Sequence, residues 1–136
     1  NFSKSGFESK HNSNYWKGEW YLGVGPSAHS FNGLTRRWNV SNNQKYIRDI
    51  DKNSYFEIET LSTEDRFNEL ILTGLRTIYG VDLSVLNQIC STNEVFTKKI
   101  DSFIKNKWLI NTRGILTLTK EGRLLADHIA SELFII

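Results

Sequence analysis

Capped runs of helical periodicity after Ser62, two β-prone segments around Arg113-Gly114, and a glycine-bearing hydrophobic stretch at Trp20–Val24 predict an α+β fold. The C-terminal part reads as a winged-helix-like helical domain of three helices, a β-hairpin and a closing helix. A strand and loop segment precedes it.

Ser62 stands where a helix needs a cap for its free amide groups, and Glu64 and Asp65 suit the positive end of the helix dipole. Phe67, Leu70, Ile71, Leu75 and Ile78 recur at helical spacing as far as Gly80, a residue suited to a left-handed stop. Asp82 is placed to cap a shorter helix holding Leu83, Leu86 and Ile89. Asn93 opens a third, with Phe96, Ile100, Phe103 and Ile104 inward and Lys98, Lys99, Lys105 and Lys107 mostly outward. Trp108–Thr112 and Ile115–Leu118 flank the Arg113-Gly114 turn as a hairpin, and Thr119 caps a closing helix through Arg123, Leu124, Leu125, Ile129 and Leu133.

Nearer the front, Trp20 to Val24 reads as a buried strand ending in a tight Gly25-Pro26 turn. Gly23 and Gly25 leave room for another backbone or a ligand, and Pro26 ends the pairing. Ser27, Ala28, His29 and Ser30 then fall just past the carboxyl end of the strand, where α/β sheets bind ligands. A sheet strand with a plain bend explains the same spacing. Residues 1–19 are polar, with isolated aromatics at Phe2, Phe7, Tyr15 and Trp16, and read as a loop or weak strand. Gln44 to Lys52 reads as a short amphipathic helix with Tyr46, Ile47 and Ile50 on one face. Residues 53–61 form a connector with strand character at Tyr55–Ile58, so the expected domains are 1–52 and 53–136.

The 136 residues give room for one ordinary domain, or a small domain and a piece of another. A net charge of +2 is too small to imply a nucleic-acid or acidic partner, and no apolar run approaches the roughly 18 residues that cross a bilayer. The single cysteine, Cys90, excludes an internal disulfide and reads as a buried helix residue of a reducing, cytoplasmic protein. The chain begins with Asn1 and contains no Met, which raises the expectation of a piece of a longer protein.

Few residue patterns point to chemistry by themselves. Gly23-x-Gly25-Pro26 lacks the third glycine of a dinucleotide fingerprint, and Gly25-Pro26-Ser27 lacks the Gly-x-Ser-x-Gly elbow of a hydrolase. His11 and His29 have only distant carboxylates, so no metal ligand is assigned. Arg36 and Arg37 are suited to bidentate binding of a carboxylate or phosphate, although adjacent surface arginines are usually solvated. A winged helix invites a DNA-binding alternative, but the third helix offers no Arg, Asn or Gln cluster in its first turn to read bases, and Glu94 and Asp101 dilute its lysines.

An ordered series is more specific. It runs His11-Asn12-x-x-Tyr15-Trp16, the Trp20–Phe31 stretch, Arg36, Arg37 and Asn39, then Tyr46-Ile47 and Glu59-x-Leu61-Ser62. It continues with Glu69 and Gly74-Leu75-Arg76-Thr77, Gly80-Val81-Asp82-Leu83, and Leu116-Thr117-Leu118-Thr119-x-x-Gly122. In that order and spacing the series resembles the C-terminal part of the radical S-adenosylmethionine (SAM) proteins called oxygen-independent coproporphyrinogen III oxidases and their oxidase-like relatives. The resemblance spans about His11 to Phe134.

The resemblance implies that residues 1–52 are the tail of a radical SAM barrel, with 20–24 its last strand, and that 53–136 help cover the barrel cavity. It carries a cofactor-binding role to Gly23, Gly25, Ala28, His29 and Ser30 and assigns no catalytic residue. Proteins of this kind hold a [4Fe–4S] cluster on a Cys-x3-Cys-x2-Cys motif and cleave SAM to a radical. With Cys90 alone, this fragment is expected to be inactive, while the parent would use the cluster, SAM and, on one branch, haem. The expected partners are the N-terminal barrel of the same chain and a porphyrin or haem, with no nucleic acid and no membrane span. An unpaired hydrophobic edge at 20–24 would also offer a route to a fragment dimer. The true oxidases carry a Gln-containing stretch before the glycine strand. The pattern here at His11–Trp16 is that of the oxidase-like branch, whose members are better described as haem-binding chaperones. Decarboxylation of two propionates to vinyl groups would be the oxidase chemistry.

Overall fold

The computed structural model describes residues 3–4 and 6–135, so Phe2 of the early aromatics lies outside the described residues. The chain divides into two compact units, residues 1–61 and 62–136.

The first unit opens with helix α1 (Lys10–Trp16), where a loop or weak strand was expected. The helix has no apolar stripe, which is why its periodicity is silent. Instead the Ser9 hydroxyl accepts from the Asn12 amide at its start, and His11 meets Tyr15 one turn on, ring centroids 4.9 Å apart. Three antiparallel strands follow in the order β1 (His29–Phe31), β2 (Thr35–Asn39) and β3 (Phe56–Thr60). Between β2 and β3, Asn42 caps helix α2 (Asn43–Asp49), which ends in a 3-10 turn over Ile50–Lys52. The helix is where the sequence predicts it, but Ile47 is exposed and only Tyr46 of the expected face turns inward. Because β3 pairs residue by residue with β2, the connector belongs to the first unit, and the division falls after Leu61 rather than at 52–53.

The stretch Trp20–Val24 is not a buried strand. Only Tyr21 pairs, exchanging backbone hydrogen bonds with Phe31, while Trp20, Leu22 and Val24 are 73–83% exposed. Alternation explains the difference. Tyr21 turns onto Tyr15 and Phe31, and its neighbours therefore point the other way.

In the second unit, α3 (Thr63–Gly74) starts at a reciprocal capping box, in which the Ser62 hydroxyl accepts from the Asp65 amide and the Asp65 carboxylate accepts from the Ser62 amide, each at 3.0 Å. It ends at Gly74, earlier than the periodicity indicates, and Ile78 lies exposed in the following turn. Gly80 does adopt a left-handed φ of 72°, and a Cβ there would lie 2.3 Å from the Leu116 carbonyl oxygen. It lets β4 (Val81–Asp82) reach its partner strand. Asp82 caps α4 (Leu83–Ile89) and Asn93 caps α5 (Glu94–Lys105). Cys90 is the half-buried residue ending α4 rather than a buried residue within it.

Strands β5 (Leu109–Thr112) and β6 (Ile115–Leu118) form the hairpin, with β4 on the free edge of β6. Arg113 and Gly114 both have positive φ, 54° and 87°, the backbone of a tight two-residue hairpin turn. Gly114→Val should cost about 1–2 kcal/mol from the left-handed backbone alone, since a Cβ there would meet nothing within 4 Å. Chemical denaturation of the variant checks this value. The Thr119 hydroxyl accepts from the Gly122 amide as expected, but a 3-10 turn over Gly122–Leu125 intervenes before α6 (Ala126–Leu133). Phe67, Ile71, Leu86, Leu109, Leu116, Ile129 and Leu133 fill the core, so α3, α4, α6 and the sheet share one interior.

Hydrogen bonds from the Ser84 hydroxyl and backbone hold the Asp82 carboxyl below its usual value of 3.8. A depressed carboxyl stabilises the fold above its unfolded pKa, and that contribution is lost as pH falls through the folded value. Melting temperature should therefore drop below about pH 4, and Asp82→Asn, which still caps but does not titrate, should flatten that acid limb.

Candidate functional site

The loop from Gly23 to Ser30 is held from several sides. Asn39, 2% exposed at the end of β2, donates from its side-chain amide to the carbonyl oxygens of Gly25 at 2.8 Å and Gly23 at 3.4 Å. Its backbone amide donates to the Ala28 carbonyl, and the Ser27 amide donates to Val40. The Tyr46 hydroxyl of α2 accepts from the Gly25 amide at 3.2 Å, and the Ser30 hydroxyl accepts from the Gly23 amide at 3.0 Å. Gly25 has φ of 100° and Ser27 of 59°. The loop is thus a preset shape, with its conformational entropy already spent in folding.

Gly23 is required by backbone contact. A Cβ would lie 2.1 Å from the His29 carbonyl oxygen and 2.8 Å from the His29 amide nitrogen. Of the two expected reasons for a bare residue here, the structure supplies close approach of another backbone.

The five candidate residues do not all converge. Gly23, Gly25 and Ser30 are joined through the loop's hydrogen bonds, and Ala28 closes the turn onto the Gly25 carbonyl. His29 and Ser30 lie within β1 rather than in a loop past a strand end, so their side chains leave opposite faces of the sheet. The register makes His29, Trp38 and Glu57 one cross-strand row, and Ser30, Arg37 and Ile58 the row on the other face. His29 lines a shallow open depression with Ser27, Trp38, Lys45 and Glu57.

Asn39 was legible only as a member of the ordered series, and Tyr46 there and on the face of the predicted helix, neither with a site role; Arg37 also reads, with Arg36, as suited to a carboxylate or phosphate. On the Ser30 face, Arg37 lays its guanidinium over the Phe56 ring, 4.5 Å from the centroid, with the Tyr55 ring at 5.7 Å. Tyr46, Tyr55 and Phe56 meet edge to face in sequence, each pair 5.1 Å apart. Among the described residues, no group of three His, Cys, Asp or Glu side chains gathers to hold a metal, and one thiol does not match a three-thiolate cluster.

Residues 61–125 match the family model described as the HemN C-terminal domain. The chain is 32% identical to the heme chaperone HemW of Bacillus subtilis over 133 residues, covering 95% of this chain and 35% of that protein. By this similarity the chain is a HemN/HemW-like C-terminal region. A second HemW, from Lactococcus lactis, is 30% identical over 95% of the chain and 35% of its own length. The solved structure of the Escherichia coli coproporphyrinogen III oxidase HemN, a radical SAM enzyme, superposes with a TM-score of 0.61 at 20% identity. It covers 85% of this chain and 28% of that one, and shows the shared fold. The HemN/HemW-like chain thus spans about a third of the length of the curated relatives it matches.

The α+β order of three helices, hairpin and closing helix belongs to that shared fold. A DNA-binding role gains no support from it. On α5, Lys98 pairs with Glu94 at 2.7 Å and Lys99 with Glu132 of α6 at 3.3 Å, so half of the expected basic face is neutralised internally. Among the described residues no helix is long and apolar enough to cross a membrane.

Proposed function

We propose that the chain is the C-terminal part of a radical SAM protein of the haem-chaperone type, which binds haem and hands it on without oxidising coproporphyrinogen. The observation that carries this reading is the match to HemW proteins along nearly the whole chain, including the first unit with its preset glycine loop. The HemN likeness, at 20% identity, speaks for the fold and leaves the oxidase as the second reading.

In this reading the first unit supplies a rigid margin of the haem cavity. Gly23, Gly25 and Ala28, each half-buried in a loop locked by Asn39 and Tyr46, present small residues against which a flat macrocycle packs. Gly23, Gly25, Ala28 and Ser30 form that margin, while His29 serves the opposite face. The second unit, with its single apolar core, acts as the cover of the barrel. The cluster and SAM would be held by the barrel, since this chain lacks the thiolates. Cytoplasmic placement follows from the same reading.

A transfer assay tests it. The longer protein, loaded with haem, is mixed with an apo-haemoprotein while the Soret band is followed. Movement of haem to the acceptor supports the chaperone. SAM-dependent release of carbon dioxide from coproporphyrinogen III by the reconstituted protein would replace it with the oxidase reading.

A further inference from the structure

We infer that Arg37 is a receptor for a ligand carboxylate, on the sheet face that carries the glycine loop. Three features of this side chain point there. Its guanidinium is clamped on Phe56 and flanked by Tyr55, so its position is fixed before any anion arrives. Its Nε is buried and has no hydrogen-bond partner, which leaves a charged donor group incompletely satisfied. No ion pair among the described residues involves Arg37, unlike Arg48–Asp49, Arg76–Asp127, Lys98–Glu94 and Lys99–Glu132.

Strand alternation explains why no acid of the sheet answers it. Glu57 and Glu59 pair with Trp38 and Arg36 across the register and leave from the opposite face. The cross-strand neighbours of Arg37 are Ser30 and Ile58, neither of them anionic, and the Ser30 hydroxyl is engaged with the Gly23 amide. A cation held against aromatic rings, partly withdrawn from water and unpaired, binds an anion with little ordering cost and weak screening. The planar guanidinium fork matches a carboxylate through two parallel hydrogen bonds. Its place beside Gly23 and Ser30 puts that carboxylate at the margin of the proposed cavity. On the haem reading, on which this assignment of the source rests, the group is a propionate of the porphyrin.

The test compares the longer protein with its Arg37→Gln and Arg37→Lys variants against three probes: propionate itself, haem, and haem with both propionates esterified. Propionate should raise the melting temperature of the native protein and leave that of Arg37→Gln unmoved. Haem should bind Arg37→Gln about tenfold more weakly, as loss of one charge-assisted pair implies. Esterification should weaken binding to the native protein by a similar factor and to Arg37→Gln hardly at all. Arg37→Lys, which keeps the charge without the fork, should fall between and decides the matter if Arg37→Gln does not fold. Equal haem affinity in native protein and variants, or an equal esterification penalty in all, would overturn the proposal. Propionate binding that depends on Arg37 without any haem binding would keep the carboxylate site and remove the haem reading instead.

Discussion

Phe67→Ala lowers the stability of the second unit by about 3–5 kcal/mol, the range for truncating a buried aromatic ring. Phe67 is 1% exposed on α3 and meets the Phe96 ring of α5 edge to face at 5.6 Å. It lies in the same core as Ile71, Leu86, Ile129 and Leu133, which belong to three different helices. Truncation removes the ring's burial and leaves a cavity that these helices close only in part. Phe103→Ala should cost less within that range, because Phe103 is 8% exposed and stacks on the half-buried Trp108 at 6.0 Å. Urea unfolding checks both values. An unchanged midpoint for Phe67→Ala would show that the core is assembled differently.

Gly23→Ala disrupts the first unit by about 3 kcal/mol, the upper end of the range for overpacking. The added methyl would meet the His29 carbonyl oxygen at 2.1 Å, and backbone within a paired strand has less freedom to yield than a side-chain tip. Release of the loop would also break the Gly23–Ser30 and Asn39–Gly25 hydrogen bonds. The expected signature is faster amide exchange at Tyr21, Phe31 and Asn39, with the second unit's core amides unchanged. Native-like protection at those three positions would contradict the proposed reason for a glycine there.

The second unit was largely legible from its sequence because its signals are local and agree. Ser62, Asp82 and Asn93 each cap the helix that the apolar periodicity begins, and Arg113-Gly114 adopts the turn its residue types favour. Its misreadings sit at ends: α3 stops at Gly74 because the chain must turn before Gly80 passes β6, and Cys90 falls one residue beyond α4. The first unit was less legible because its order depends on contacts far apart in sequence. Tyr46 fixes Gly25 from 21 residues away and Asn39 fixes it from 14, and neither leaves a periodic trace. Nor does spacing reveal that His29 and Ser30 part to opposite faces, since a three-residue strand is too short to show alternation. The polar α1 failed for the converse reason: its cap is local, but no apolar stripe announces the helix.

The most direct measurement is a haem titration of the longer protein, purified without oxygen and with its cluster reconstituted. It is read at the Soret band beside an assay of carbon dioxide released from coproporphyrinogen III in the presence of SAM. The chaperone account predicts saturable haem binding and no decarboxylation. Decarboxylation with no saturable haem binding would contradict it.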